Sequence, residues 1–345
     1  MVLRWRRLAV RSALVSGLLL GSMARSEGGG TPAFQLVERK PRPAFGTEPF
    51  SSRVKSFEEG APARMMAHEV VLDGRTLLIP GLSGLTYDSE RRRLINHGQS
   101  LWSHVAGASF AYRIYSTEGK LLRSLGELSV GPFAKSVSAD GSFSLAGRSP
   151  EEGKGEDRFV ALFDRDANPK WRTPLTEPGF PSEIAHAPDG GAVAVLVNRL
   201  GTGMSGRLLV YDEVGMLMAA RSRSPSTVLA FTRDRKLVLC DVTSWEVLDA
   251  RNGLQKVARG VMAGDRLDAP AILPHPSKDV FILTSRADKS VVLQAFRGAD
   301  GTLLAQSRFP ATEQQHAPER LRFDRDGTLR LDVDGEVLVL RLPEG

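Results

Sequence analysis

At 345 residues, with 41% hydrophobic and 25% charged side chains, the chain has enough apolar material for a core and the charge content of an ordinary soluble protein. Its formal net charge of +6 falls to about +2 without Arg4, Arg6, Arg7 and Arg11. The other Lys and Arg are scattered among Asp and Glu, which excludes the basic stripe that nucleic-acid binding needs.

The N-terminus reads as a cleavable leader over residues 1–24. Its four arginines form a positive n-region, Ala13-Leu-Val-Ser-Gly-Leu-Leu-Leu20 a short apolar h-region, and Ser22-Met-Ala24 a small-x-small cleavage pattern. The apolar run is shorter than the about 20 residues of a spanning helix, so no transmembrane segment is expected after cleavage, and the mature protein is expected in the periplasm or the medium. Residues 25–67, rich in Gly, Pro and charge, read as a linker or extended arm. Strand signals begin at His68-Glu-Val-Val-Leu72, turn at Asp73-Gly74 and resume at Thr76-Leu-Leu-Ile79.

From Gly81 a unit recurs. An acidic or Asp-Gly turn stands at Asp88, Asp140-Gly141, Asp189-Gly190, Asp234, Asp279 and Asp326-Gly327, each between short apolar-polar alternating runs. Between these turns stand Tyr115-Ser-Thr-Glu-Gly119, Phe163-Asp-Arg-Asp-Ala167, Tyr211-Asp-Glu-Val-Gly215, Leu248-Asp-Ala-Arg-Asn-Gly253 and Phe296-Arg-Gly-Ala-Asp-Gly301. Such a period means propeller blades or a similar array. Cys240, the single cysteine, excludes an intramolecular disulfide and reads as a buried strand thiol. The last unit stops after three strands, and the orphan run at 69–79 can supply its outer strand. The expectation is an all-β propeller over 68–345 with six four-stranded blades, closed by an N-terminal strand. A seventh blade is allowed if residues 32–79 pack as a degenerate one.

Phe163-Asp-Arg-Asp-Ala-Asn-Pro-Lys-Trp171 resembles the outer half of a blade from the PQQ-like, YVTN and WD40-like β-propellers, a likeness that covers residues 81–342 and concerns architecture. Trp171 has no counterpart at the equivalent points of other units, unlike the tryptophan docking ring of quinoproteins. Gly81-Leu-Ser-Gly-Leu-Thr-Tyr-Asp88 is similar to the opening of the phytase-like, esterase-like bacterial propellers, which continue into Asp-Arg-Gly where this chain has Asn96-His-Gly-Gln99. That likeness implies a periplasmic phosphoesterase or esterase as the alternative function; a quinone-dependent or lactonase-type enzyme is a third.

Long, varied connections at 96–109, 148–158, 198–207 and 260–269 alternate with the tight turns, and binding residues concentrate on such loops. His97, Trp102, His104, Lys135, Glu183, Glu319 and Arg320 are the candidates for a ligand site on that face and its axial channel. None of the six histidines stands at metal-ligand spacing from another, and no Gly-x-Ser-x-Gly elbow occurs. No catalytic set, metal or cofactor is therefore expected. The function expected is a non-catalytic binding or scaffolding module for a protein or small-molecule ligand.

Overall fold

The repeated Asp and Gly act at the turns. In Asp212-Glu-Val-Gly215, Oδ1 of Asp212 accepts the backbone N–H groups of Val214 and Met216 at 3.0 and 2.8 Å. Asp164 does the same for Asp166 and Asn168, both at 2.8 Å. The carboxylate thus replaces a missing backbone partner, and the residue that closes the turn adopts positive φ (Gly215 +83°, Gly190 +73°, Gly327 +79°).

The structure, a computed structural model, describes residues 31–57, 65–80, 82–100, 108–130, 134–138, 140–149, 157–199, 205–224, 227–241, 243–263, 266–287, 289–311, 321–324 and 326–343. Residues from Pro32 onward form one unit. Its strands are β1 (Gln35–Pro41), β2 (Phe50–Phe57), β3 (Met65–Leu72), β4 (Arg75–Pro80), β5 (Leu82–Asp88), β6 (Arg93–Ser100), β7 (Ala108–Ser116), β8 (Leu121–Val130) and β9 (Ala134–Val137). There follow β10 (Phe143–Ser149), β11 (Asp157–Phe163), β12 (Pro169–Pro174), β13 (Phe180–His186), β14 (Ala192–Arg199), β15 (Ser205–Asp212), β16 (Leu217–Arg223), β17 (Val228–Phe231) and β18 (Lys236–Cys240). The last are β19 (Ser244–Asp249), β20 (Gln255–Val261), β21 (Arg266–Pro274), β22 (Val280–Ala287), β23 (Ser290–Arg297), β24 (Leu303–Pro310), β25 (Leu321–Phe323), β26 (Leu329–Val333) and β27 (Glu336–Arg341).

They pair, all antiparallel, into seven sheets: β2–β4, then four-stranded β5–β8, β9–β12, β13–β16, β17–β20 and β21–β24, and finally β25–β27 with β1. These are the seven blades of a β-propeller, numbered one to seven in that order. The all-β propeller is as expected. The count is seven, the allowed alternative, rather than the favoured six. No described helix is long and apolar enough to cross a membrane.

The ring closes where β1 pairs with β27, from Gln35 opposite Arg341 to Pro41 opposite Glu336. An N-terminal strand does close it, but an earlier one than residues 69–79, which belong to a blade of their own. Residues 35–41 and 50–57, inside the stretch read as linker or arm, are strands. The reason lies in burial: β1 exposes every residue but one, so nothing in its composition alternates. Among the described residues, blade one has three strands.

The core lies between blades. Ile95, Tyr112 and Ile114 of blade two pack with Phe143, Leu145 and Phe159 of blade three. Val193, Val195 and Val197 of blade four pack with Val160, Leu162 and Trp171 of blade three. Glycine admits the large side chains: a Cβ on Gly215 of blade four would sit 2.8 Å from the Trp171 ring, and one on Gly301 of blade six 3.0 Å from that of Trp245 in blade five. Trp171 therefore has a counterpart, which enters from a different strand.

Candidate functional site

Antiparallel strand order sends the tight turns to one end of the propeller and the connections β6–β7, β10–β11 and β14–β15 to the other. Strands β9, β13, β17 and β21 stand side by side as the inner strands of blades three to six. All residues of β9 and β17 but one in each strand are half-buried, as befits a backbone that faces a channel. Lys135 lies on β9 and Glu183 on β13, at a bulge between Pro181 and Glu183. Burial lowers the Lys135 pKa and raises that of Glu183, so each is biased toward its neutral form.

His97 occupies the second strand of blade two, opposite Gly84. Its ring lies where a side chain of residue 84 would be, since a Cβ there would be 2.4 Å from Cε1. The ring is near-parallel to Tyr112 at 6.5 Å. Its Nδ1 is buried without a hydrogen-bond partner. Burial, then the charges of Lys135 and His68, lower the pKa of His97 to about 4. The charge of Lys135 thus reaches His97 across two blades. The fold gives Glu183 no ion-pair partner among the described residues. Trp102, His104, Glu319 and Arg320 lie outside the described residues.

Residues that would suit nucleophilic chemistry do meet, at a place the spacing did not reveal. Ser142 Oγ donates to Asp140 Oδ1 at 2.7 Å and lies 3.3 Å from His186 Nε2. Ser138 Oγ is 2.6 Å from the same nitrogen, and Ser144 Oγ is 3.1 Å from Nδ1. A hydrolytic triad needs the carboxylate on the imidazole and the hydroxyl aimed at a substrate. Here Asp140 holds the serine, three hydroxyls occupy both ring nitrogens, and His186, Ser142 and Ser144 are buried. This arrangement fastens blade four to blade three; it does not present a nucleophile. Burial lowers the His186 pKa to about 4, which matches a neutral, hydrogen-bonded ring.

Further clasps join other blades at the same end. Arg93, itself buried, donates to Asp88 at 2.9 Å within its own blade and to Asp166 of blade three at 2.6 Å. Arg91 reaches Asp166 at 2.7 and 2.8 Å. Those hydrogen bonds hold the Asp166 carboxyl down at about 2. Arg235 of blade five donates to Asp189 of blade four at 2.6 Å. His275 Nδ1 accepts N–H groups from Ser277 and Lys278 at 3.1 Å, and its ring also bonds the Gly327 backbone of blade seven. Cys240 is buried beside Met262, and burial raises its thiol to about 12. Among the described residues, no three His, Cys, Asp or Glu are grouped to hold a metal ion.

No protein family matches the sequence, and no curated protein matches it. Solved structures match the fold. The chain is similar to a structure described as the complex of KlAtg21 with the coiled coil of AgAtg16, with 13% identity and a TM-score of 0.50, covering 76% of this chain and 82% of that one. It is also similar to the Dos1 propeller (11%, TM-score 0.49, 81% and 77%) and to a chain of the mitotic checkpoint complex (12%, TM-score 0.48, 99% and 100%). At such identities the likeness concerns the fold alone.

Proposed function

We propose that the chain is an exported β-propeller that acts as a non-catalytic binding or scaffolding module through the end that carries its long connections. One observation carries this reading: the serines, histidine and aspartate that do converge are spent on fastening blades together, with His186, Ser142 and Ser144 buried. Lys135 and Glu183 stand on the inner strands β9 and β13 and His97 on the second strand of blade two, so the three come from three different blades. His97 offers a buried ring nitrogen without a hydrogen-bond partner and Lys135 an amine whose pKa burial lowers, groups suited to hydrogen bonding. The partner is a protein or a small molecule rather than nucleic acid, given the interspersed charges. The finer likenesses to PQQ-like, YVTN and phytase-like propellers belong to this proposal as kinship of architecture, since propellers host many functions.

Two measurements test it. N-terminal sequencing of protein recovered from the periplasm or medium should find cleavage near Ala24; an intact Met1 in the cytosol would refute export. Mature protein should not turn over aryl phosphates, phytate or aryl esters with calcium, magnesium or zinc added separately. Turnover abolished by His97→Ala or Glu183→Ala would replace the binding module with a phosphoesterase or esterase.

A further inference from the structure

Away from the axis, a cleft of about 460 Å³ opens between blades four and five. This volume is in the range of small-molecule sites. Blade four lines it with Arg221 and Arg223 of its outermost strand β16, and blade five with Lys256 and Arg259 of β20 and with Trp245 of β19. Two carboxylates share the lining, and both are engaged. Asp241 accepts the backbone N–H groups of Thr243 and Ser244 at 3.0 and 2.7 Å, and Glu246 forms an ion pair with Arg223. No carboxylate among the described residues lies within ion-pair distance of Arg221, Lys256 or Arg259. The cleft therefore carries an excess of positive charge.

Two donors sharpen the picture. Trp245 is 5% exposed, and its indole N–H has no acceptor. Its ring lies against Gly260, where a Cβ would be 2.8 Å from Nε1, so the N–H edge stays at the cleft wall. The Nε–H of Arg223 is buried and also without a hydrogen bond, although its guanidinium pairs with Glu246, whose Oε1 is likewise without one. Burial, then the adjacent Arg221 charge, lowers the Arg223 pKa to about 10; it remains a cation at neutral pH, but a poorly hydrated one. A buried donor left unpaired is costly. Donors without acceptors beside unpaired cations are complementary to an oxyanion, and guanidinium groups match the geometry of phosphate.

We propose that the cleft between blades four and five binds a small phosphate-bearing molecule, held by Arg221, Arg223, Lys256 and Arg259 with the Trp245 indole N–H as a further donor. This site is separate from the axial one and does not depend on the reading given above. The test is isothermal titration of the full chain with pyrophosphate and with inorganic phosphate, against acetate and chloride at matched ionic strength. Pyrophosphate should bind at a single site with a dissociation constant below ~1 mM, and acetate and chloride should not. Lys256→Ala and Arg259→Ala, both at exposed positions, should each weaken binding about tenfold. Trp245→Phe, which keeps a ring and removes the N–H, should weaken it about threefold or more. Lys120→Ala, an exposed change at a distant turn, should leave it unaltered. Absence of saturable binding up to ~10 mM pyrophosphate would overturn the proposal. So would affinity unchanged in both Lys256→Ala and Arg259→Ala, or lost equally in Lys120→Ala.

Discussion

At the scale of single residues, glycine and histidine carry the sharpest consequences. Gly215 and Gly253 both have positive φ, +83° and +56°. Only Gly215 also faces an aromatic ring, because nothing lies within 4 Å of a Cβ at Gly253. Gly253→Ala should cost about 1 kcal/mol through backbone strain, and Gly215→Ala about 2–3 kcal/mol because Trp171 must also move. Paired denaturant curves measure the difference. His186 titrates in the opposite sense to a salt-bridged histidine, since its folded pKa of about 4 lies below the ordinary 6.5. Above pH 6.5 the ring is neutral in both states and its clasp is fully present. As pH falls toward 4, the unfolded chain takes up the proton first and stability declines by up to about 3 kcal/mol. His186→Gln should start from lower stability at pH 7.5 and lose less between pH 6.5 and 4, as thermal melts across that range would report. The Asp at the turns was readable in sequence, because its work is done within a few residues. The role of His186 was not, because its hydroxyl partners belong to the preceding blade.

At the scale of elements, closure is the most exposed point of the design. Blades two to seven announce themselves through alternating runs between Asp-containing turns. Strand β1 does not, since an outermost strand buries neither face and β1 is held by backbone pairing to β27. Six buried apolar clusters each join adjacent blades, from blades one and two round to six and seven. Among the described residues none joins blade seven to blade one. That seam carries a polar contact: Arg330 of blade seven lies 4.0 Å from Glu48, just before β2. Deleting residues 32–42 should uncover the β27 edge and lower the melting temperature by more than ~5 °C. Deleting residues 1–31 should leave it within about 1 °C. Equal effects of the two deletions would deny β1 its role as the closing strand.

At the scale of the whole molecule, the blades are joined by apolar cores and by polar clasps at the turn end. Asp166 is the hub of one clasp, shared by Arg91 and Arg93. Asp166→Asn should remove the charge that compensates Arg93, which is buried. Because Asp166 is itself 38% exposed, solvent screening limits the expected loss to about 1 kcal/mol. The difference from wild type should shrink as pH falls from 3.8 toward about 2, as the wild-type carboxyl protonates. Guanidinium unfolding is unsuitable here because the denaturant is itself a salt; urea melts at two salt concentrations separate the ionic part.

The sequence by itself determined the strand class, the repeat, the turn chemistry of six blades and the two kinds of connection, because all of these depend on neighbours along the chain. Alternation and Asx turns act over a few residues, and their signals survive in a linear string. Only the tertiary structure decided the blade count, the closing strand, the Trp245–Gly301 counterpart of Trp171, the His186 clasp and the cationic cleft. Each of these joins residues of different blades. Their geometry depends on how one twisted sheet packs against the next, which leaves no periodic trace in either sheet's own sequence.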